Sequence, residues 1–136
     1  MSRAALLAAV VLAATAAAAT GAASPPKLAG CVPGSPSTVR PNKIIVACGD
    51  ANFYFTNLVW SSWNGKQAVA KGITHLNDCN PNCAAGHFHT YPTTITLSRP
   101  RSCSDGVRAY TRLGWLFQGT VPAHMKRRDS QSLPCR

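Results

Sequence analysis

Apolar and polar positions alternate along much of the chain. Val107, Ala109, Thr111, Leu113, Trp115 and Phe117 interleave with Arg108, Tyr110, Arg112 and Gln118, the period of a strand with one buried face. A strand over 107–118 follows, with Arg108, Tyr110 and Arg112 facing solvent. Lys43 to Cys48 is a short continuous apolar run ended by Gly49-Asp50, as a buried strand and its turn would be. Residues 53–63 are aromatic and β-branched. Strict alternation there places Tyr54, Leu58 and Trp60 on one face and Phe53, Phe55, Val59 and Trp63 on the other, so that Trp60 and Trp63 point opposite ways. Asn64-Gly65 supplies a hairpin turn. Gln67 to Leu76 returns as a strand of small residues weakened by Gly72, and His87 to Ser98 is the next strand. No apolar stripe holds a helical period for three turns. The fold class expected is all-β, a small disulfide-stapled antiparallel β-sandwich or open barrel of five or so strands, with no internal repeat and no second domain.

The ends read differently. Arg3 is followed by a run of Ala, Leu and Val from Ala4 to Ala19 broken only by Thr15, then by small residues and Pro25-Pro26, the layout of a signal peptide over 1–23. Residues 24–42, rich in Pro, Ser and Gly, form an irregular N-terminal lead-in. The β domain spans 43–119. Residues 120–136 form a basic C-terminal tail. The mature chain is expected to be secreted, with no transmembrane helix. Leu28-Ala29-Gly30-Cys31 offers an alternative, a lipoprotein anchored at Cys31. Lys27 and the Pro-Pro pair separate it from the apolar run, however, and lipidation would leave an odd number of cysteines.

The six cysteines, Cys31, Cys48, Cys79, Cys83, Cys103 and Cys135, are expected to form three disulfides, since export leads to an oxidising compartment and a domain this small has a marginal core. Sequence does not choose among the pairings. Cys103 with Cys135 is the preferred pair because it tethers the tail, and closing a loop of that size stabilises by roughly 3 to 4 kcal/mol on the chain-entropy model.

Charge narrows the range of partners. Fourteen Lys and Arg face four acids, all Asp, giving a formal net charge of +10. Such a field favours polyanions, and an anionic envelope polymer is the partner expected. Nucleic acid is the less favoured alternative, and Arg-rich coding composition accounts for the charge equally well. Tyr110 between Arg108 and Arg112 is the candidate cationic and aromatic contact surface. Lys126-Arg127-Arg128 reads as part of the solvated tail.

The densest chemistry lies in His75-Leu-Asn-Asp-Cys79-Asn-Pro-Asn-Cys83-Ala-Ala-Gly-His87-Phe-His89-Thr-Tyr91. On an extended strand His87, His89 and Tyr91 share a face, and that parity continues through Thr93, Ile95 and Leu97. The pair is therefore either a zinc or copper site, with His75 or Asp78 as a further ligand, or a buried hydrogen-bonded pair. Reduced cysteines would add Cys79 and Cys83 as ligands, which export disfavours. No catalytic residue is nominated. A small basic nuclease would need a histidine pair and a phosphate-binding cation, but no spacing singles one out, no serine sits in an elbow motif, and Asp50 and Asp78 have turn contexts.

Three segments carry a resemblance. Ile45-Val-Ala-Cys48-Gly-Asp-Ala-Asn52, Leu58-Val-Trp60-Ser-Ser-Trp63 and Asn77-Asp-Cys79-Asn-Pro-Asn-Cys83-Ala-Ala-Gly-His87-Phe-His89-Thr-Tyr91-Pro92 resemble an uncharacterised family of small secreted actinobacterial proteins, over roughly Pro41 to Gly119. The resemblance implies export and a compact β domain. It implies no activity. The function expected is thus a secreted non-enzymatic β domain that binds at or near the cell envelope and needs no cofactor, with a zinc- or copper-binding protein and a basic nuclease as alternatives.

Overall fold

The computed structural model describes residue 21 and residues 23–136; apart from residues 21 and 23, the expected signal peptide lies outside the described residues. Six strands, β1 (Ile44–Ile45), β2 (Phe53–Trp63), β3 (Gln67–Asn77), β4 (Phe88–Ser102), β5 (Arg108–Phe117) and β6 (Arg128–Ser132), form one sheet in chain order. Every neighbouring pair is antiparallel. The sheet curls into a half-barrel with no helix among the described residues, so the open-barrel expectation holds.

Alternation explains the core. On β4 and β5, Thr93, Ile95 and Leu97 face Phe117, Trp115 and Leu113 across the ladder, and all six are buried on the concave side. Thr74 and Thr93 bury their hydroxyls there but satisfy each other at 2.7 Å, which removes the penalty of an unpaired polar group.

On β2, strict alternation fails twice. The register against β3 shifts between Thr56 and Val59 and again between Trp60 and Ser62, and each bulge sets one extra residue into the strand. The first carries Leu58 to the concave side over Gly72, where an added Cβ would sit 2.6 Å from Leu58 Cδ2 and 2.7 Å from Thr56 O. The second carries Trp63 to the side of Trp60, with ring centroids 4.6 Å apart at 78°. Phe53, Phe55, Leu58, Trp60 and Trp63 therefore all pack on the core, correcting the expected split of this strand. A period-two reading cannot register a bulge.

Both ends of the chain are more ordered than expected. In the lead-in, Lys27 N–H donates to Arg108 O and Tyr110 N–H to Lys27 O, extending the edge of β5. Trp63 Nε1 donates to Pro26 O at 2.8 Å. Residues 128–132 of the expected tail are β6, paired with β5 from Arg112 to Leu116. The tail is thus part of the sheet, and its polar sequence reflects an edge strand with little apolar cover. Cys31 pairs with Cys48, Cys79 with Cys83 and Cys103 with Cys135, so the preferred pair forms and no free cysteine remains. Because the Cys31 sulfur is bonded to Cys48, it is not available for the thioether that a lipid anchor requires. No helix among the described residues is long and apolar enough to cross a membrane.

Candidate functional site

Two places on the sheet gather polar side chains, one at the start of β4 and one across its middle. The first is the Cys79–Cys83 loop between β3 and β4. Asn77, 8% exposed, holds it together. Its Nδ2 donates to Asn52 Oδ1 and to Cys83 O, both at 2.8 Å, and its Oδ1 accepts from Cys79 N–H. Gly86 passes so close that a Cβ would collide with Asn77 Oδ1 and lie 2.8 Å from Cys79 N. Asp78 Oδ1 accepts from the backbone N–H groups of Asn80 and His87, and Oδ2 pairs with His89 Nε2 at 2.9 Å. The His87 N–H, foremost, and then the His89 ring hold this carboxyl well below the ordinary carboxylate range.

The loop does not assemble the expected metal set. Thr74 faces the core, so His75 projects from the opposite, outer face, stacked on Tyr54 at 4.7 Å with Nε2 on Thr56 Oγ1 at 2.8 Å. Burial and the nearby Lys43 lower its pKa. His89 lies opposite Leu76 on the inner row, while His87 precedes β4. Among the described residues no three His, Cys, Asp or Glu side chains cluster. Nor are His87 and His89 core residues. His89 has the inward parity that the sequence indicated, His87 lies outside the ladder, and both are exposed.

The expected contact surface on β5 is also taken apart. Alternation fails at the start of β5, where Ala109 and Tyr110 are both buried and Tyr110 joins the core. Tyr110 is 0% exposed, packs edge-on to Trp63 at 5.4 Å and donates its hydroxyl to Asn64 O. Burial pushes its pKa up. Arg108 reaches away to Gly65 O at 3.1 Å. Tyr110 and Arg108 thus clamp the β2–β3 turn, and of the three expected residues only Arg112 keeps its place on the outer face.

Arg112 belongs to the second gathering, which sequence reasoning divided between a strand and a tail. Because Thr93, Ile95 and Leu97 point inward, Thr94, Thr96 and Ser98 point outward. Their partners across β5 are Leu116, Gly114 and Arg112, and beyond these on β6 come Arg128, Ser130 and Ser132. With no side chain at Gly114, the outer surface dips into an open groove of about 580 Å³. Arg99, Arg112, Lys126 and Arg128 line it. The one salt bridge among the described residues is Asp78 with His89, so none of these four cations is neutralised by a carboxylate. Arg112 Nη2 donates to Ser130 Oγ at 2.6 Å, leaving its other donors free. Asp129 also lines the groove, with Oδ1 accepting the Ser130 N–H, and forms no salt bridge with these cations. Arg127 differs from its neighbours, since its Nη1 donates to the carbonyls of Phe117 and Gly119 and secures the β5–β6 connection.

No family model, curated protein or solved structure matches the chain. The groove's chemistry alone therefore bears on its role: an open, hydroxyl-lined trough with unneutralised cations presents hydrogen-bond donors to anions over an extended length.

Proposed function

We propose that this protein is an exported, non-enzymatic binding domain that holds an anionic polymer at or near the cell envelope in the groove across β4, β5 and β6. The observation that carries the reading is the four cations of the groove, gathered from three strands and one connection and left without carboxylate partners. Arg108 and Arg127 are directed at backbone carbonyls instead, and what distinguishes these four cations is that they line one groove together. Export is supported by three disulfides in a small domain together with the N-terminal apolar run. An open trough on a sheet suits a chain that lies along it better than a small molecule that must be enclosed.

Retention on immobilised heparin, a polyanionic probe, tests the reading. Affinity should fall steeply with salt because bound counterions are released. Arg112→Ala combined with Arg128→Ala should lower the slope of log affinity against log salt by about two. An unchanged slope in the double variant would remove the groove from the binding surface.

A further inference from the structure

Glycine in the middle of a strand weakens it by roughly 0.5 to 1 kcal/mol relative to alanine and calls for a reason. At Gly72 the reason is packing, because a Cβ there would collide with Leu58 and the Thr56 carbonyl. At Gly114 neither packing nor backbone conformation requires it. A Cβ there would meet Asp129 O, Ser130 Cβ and Thr96 O at 3.8 Å each, ordinary contacts, and its φ lies outside the left-handed range. The residue lies at the centre of β5, between strands on both sides, where a side chain would strengthen the sheet. What the missing side chain leaves is space above the backbone, and that space is the floor of the groove.

The surroundings of Gly114 specify what fits there. Its cross-strand neighbours are Thr96 and Ser130, whose hydroxyls can donate and accept. Arg112 lies two residues to one side of it. Arg128, opposite Leu116, lies the equivalent distance to the other, so the two cationic rows stand about 13 Å apart along the strands. No aromatic face is offered on the floor. Trp115 turns to the core, where it meets Phe53 and Phe55, so the groove lacks the stacking platform that single-stranded nucleic acid uses.

Resting on the groove reading above, we infer that Gly114 is a ligand-contact position and that the ligand is a hydroxyl-rich polyanion, a chain of sugar or polyol units bearing anionic groups. Its hydroxylated unit lies against the bare backbone of Gly114 between Thr96 and Ser130, and anionic groups on either side meet Arg112 and Arg128.

The test separates this inference from the broader one. Gly114→Val should fold, with an unchanged or higher melting temperature, yet bind heparin about tenfold more weakly, the loss carried by about 1.4 kcal/mol. Should valine prevent folding, Gly114→Ala serves instead, since its single methyl meets only ordinary contacts, and weaker heparin binding is again expected. Thr96→Val should weaken heparin binding while leaving the salt slope unchanged. Inorganic polyphosphate, which carries charge without hydroxyls, should bind more weakly than heparin at equal charge and be insensitive to Thr96→Val. Folded Gly114 variants that bind heparin as the wild type does would overturn the inference even if the arginine variants fail to bind. Polyphosphate, or a single-stranded oligonucleotide, bound more tightly than heparin at equal charge would overturn the ligand class.

Discussion

The Cys79–Cys83 loop before β4 and the outer groove across its middle use their polar residues in opposite ways. In the loop, Asn77 and Asp78 direct their polar atoms at the chain itself: two side-chain donations, one to Asn52 and one to Cys83, an accepted Cys79 N–H, two further backbone N–H groups and one imidazole. In the groove, four cations have no carboxylate partner and the central residue has no side chain. The loop holds the conspicuous motif and the groove holds none. Density of Cys, His and Asn in a short segment is what a long connection needs when it must satisfy its own backbone without a ladder. Unsatisfied binding capacity is instead distributed across strands that are distant in sequence.

The sharpest way to break this contrast is to move Tyr110 from clamp to contact. If it is a core residue, Tyr110→Ala should destabilise by about 3 to 5 kcal/mol and Tyr110→Phe by about 1 kcal/mol through the lost hydrogen bond, both measured by chemical denaturation. Tyr110→Phe should leave heparin affinity unaltered. Weaker binding at wild-type stability would restore the aromatic surface on β5.

Asn77→Ala should come next, with a loss of about 2 to 4 kcal/mol as the three hydrogen bonds of this buried side chain are removed and the loop they hold is released. Heparin binding below the unfolding transition should persist. A stable Asn77→Ala protein that no longer binds would reverse the roles assigned to the two regions.

Acid should open the loop before the groove. The Asp78 carboxyl is depressed in the folded chain, so its stabilising contribution is complete above the ordinary carboxylate pKa and is lost as pH falls from there through the depressed value. Amide protection at His87 and Asn80, taken relative to the unstructured exchange rate at the same pH, should fall in that window, and Asp78→Asn should show reduced protection already at neutral pH. Protection that does not differ between pH 7 and pH 3 (about 3 being just below the ordinary carboxylate value) would mean that the carboxylate does not organise the loop.

Among the smallest effects is that of Arg108→Ala. Since Arg108 bonds Gly65 O away from the groove, the variant should change the salt slope by less than the roughly 0.9 expected of a phosphate-contacting cation. A full unit of slope would place Arg108 in the binding surface.

How far the sequence revealed this arrangement depends on the physics of each element. The runs 53–63, 67–76 and 107–118 were legible because a half-buried strand repeats every two residues, and β2 to β5 lie where that period placed them. Trp60 and Trp63 were misassigned because a bulge changes parity without any marker residue. Tyr110 was misassigned because Ala109 and Tyr110 are both buried at the start of β5, which strict alternation does not give. For β6 there was no signal at all: Arg-Asp-Ser-Gln-Ser has no apolar alternation, and its pairing rests on backbone bonds to β5 and the Cys103–Cys135 tether. One wall of the groove, with Arg128 and Ser130, lies on that segment. One cue was available, since Gly114 interrupts the most regular strand in the chain, a position where glycine often marks close approach.

The central claim is that the groove, and not the histidine loop, meets the ligand. Amide chemical-shift mapping during heparin titration tests it directly. The expected result is saturable perturbation centred on Thr94, Thr96, Gly114 and Ser130, weakening as salt rises, with Asp78 to His89 unmoved. Perturbation centred on Asp78 to His89 with Gly114 unaffected would contradict it.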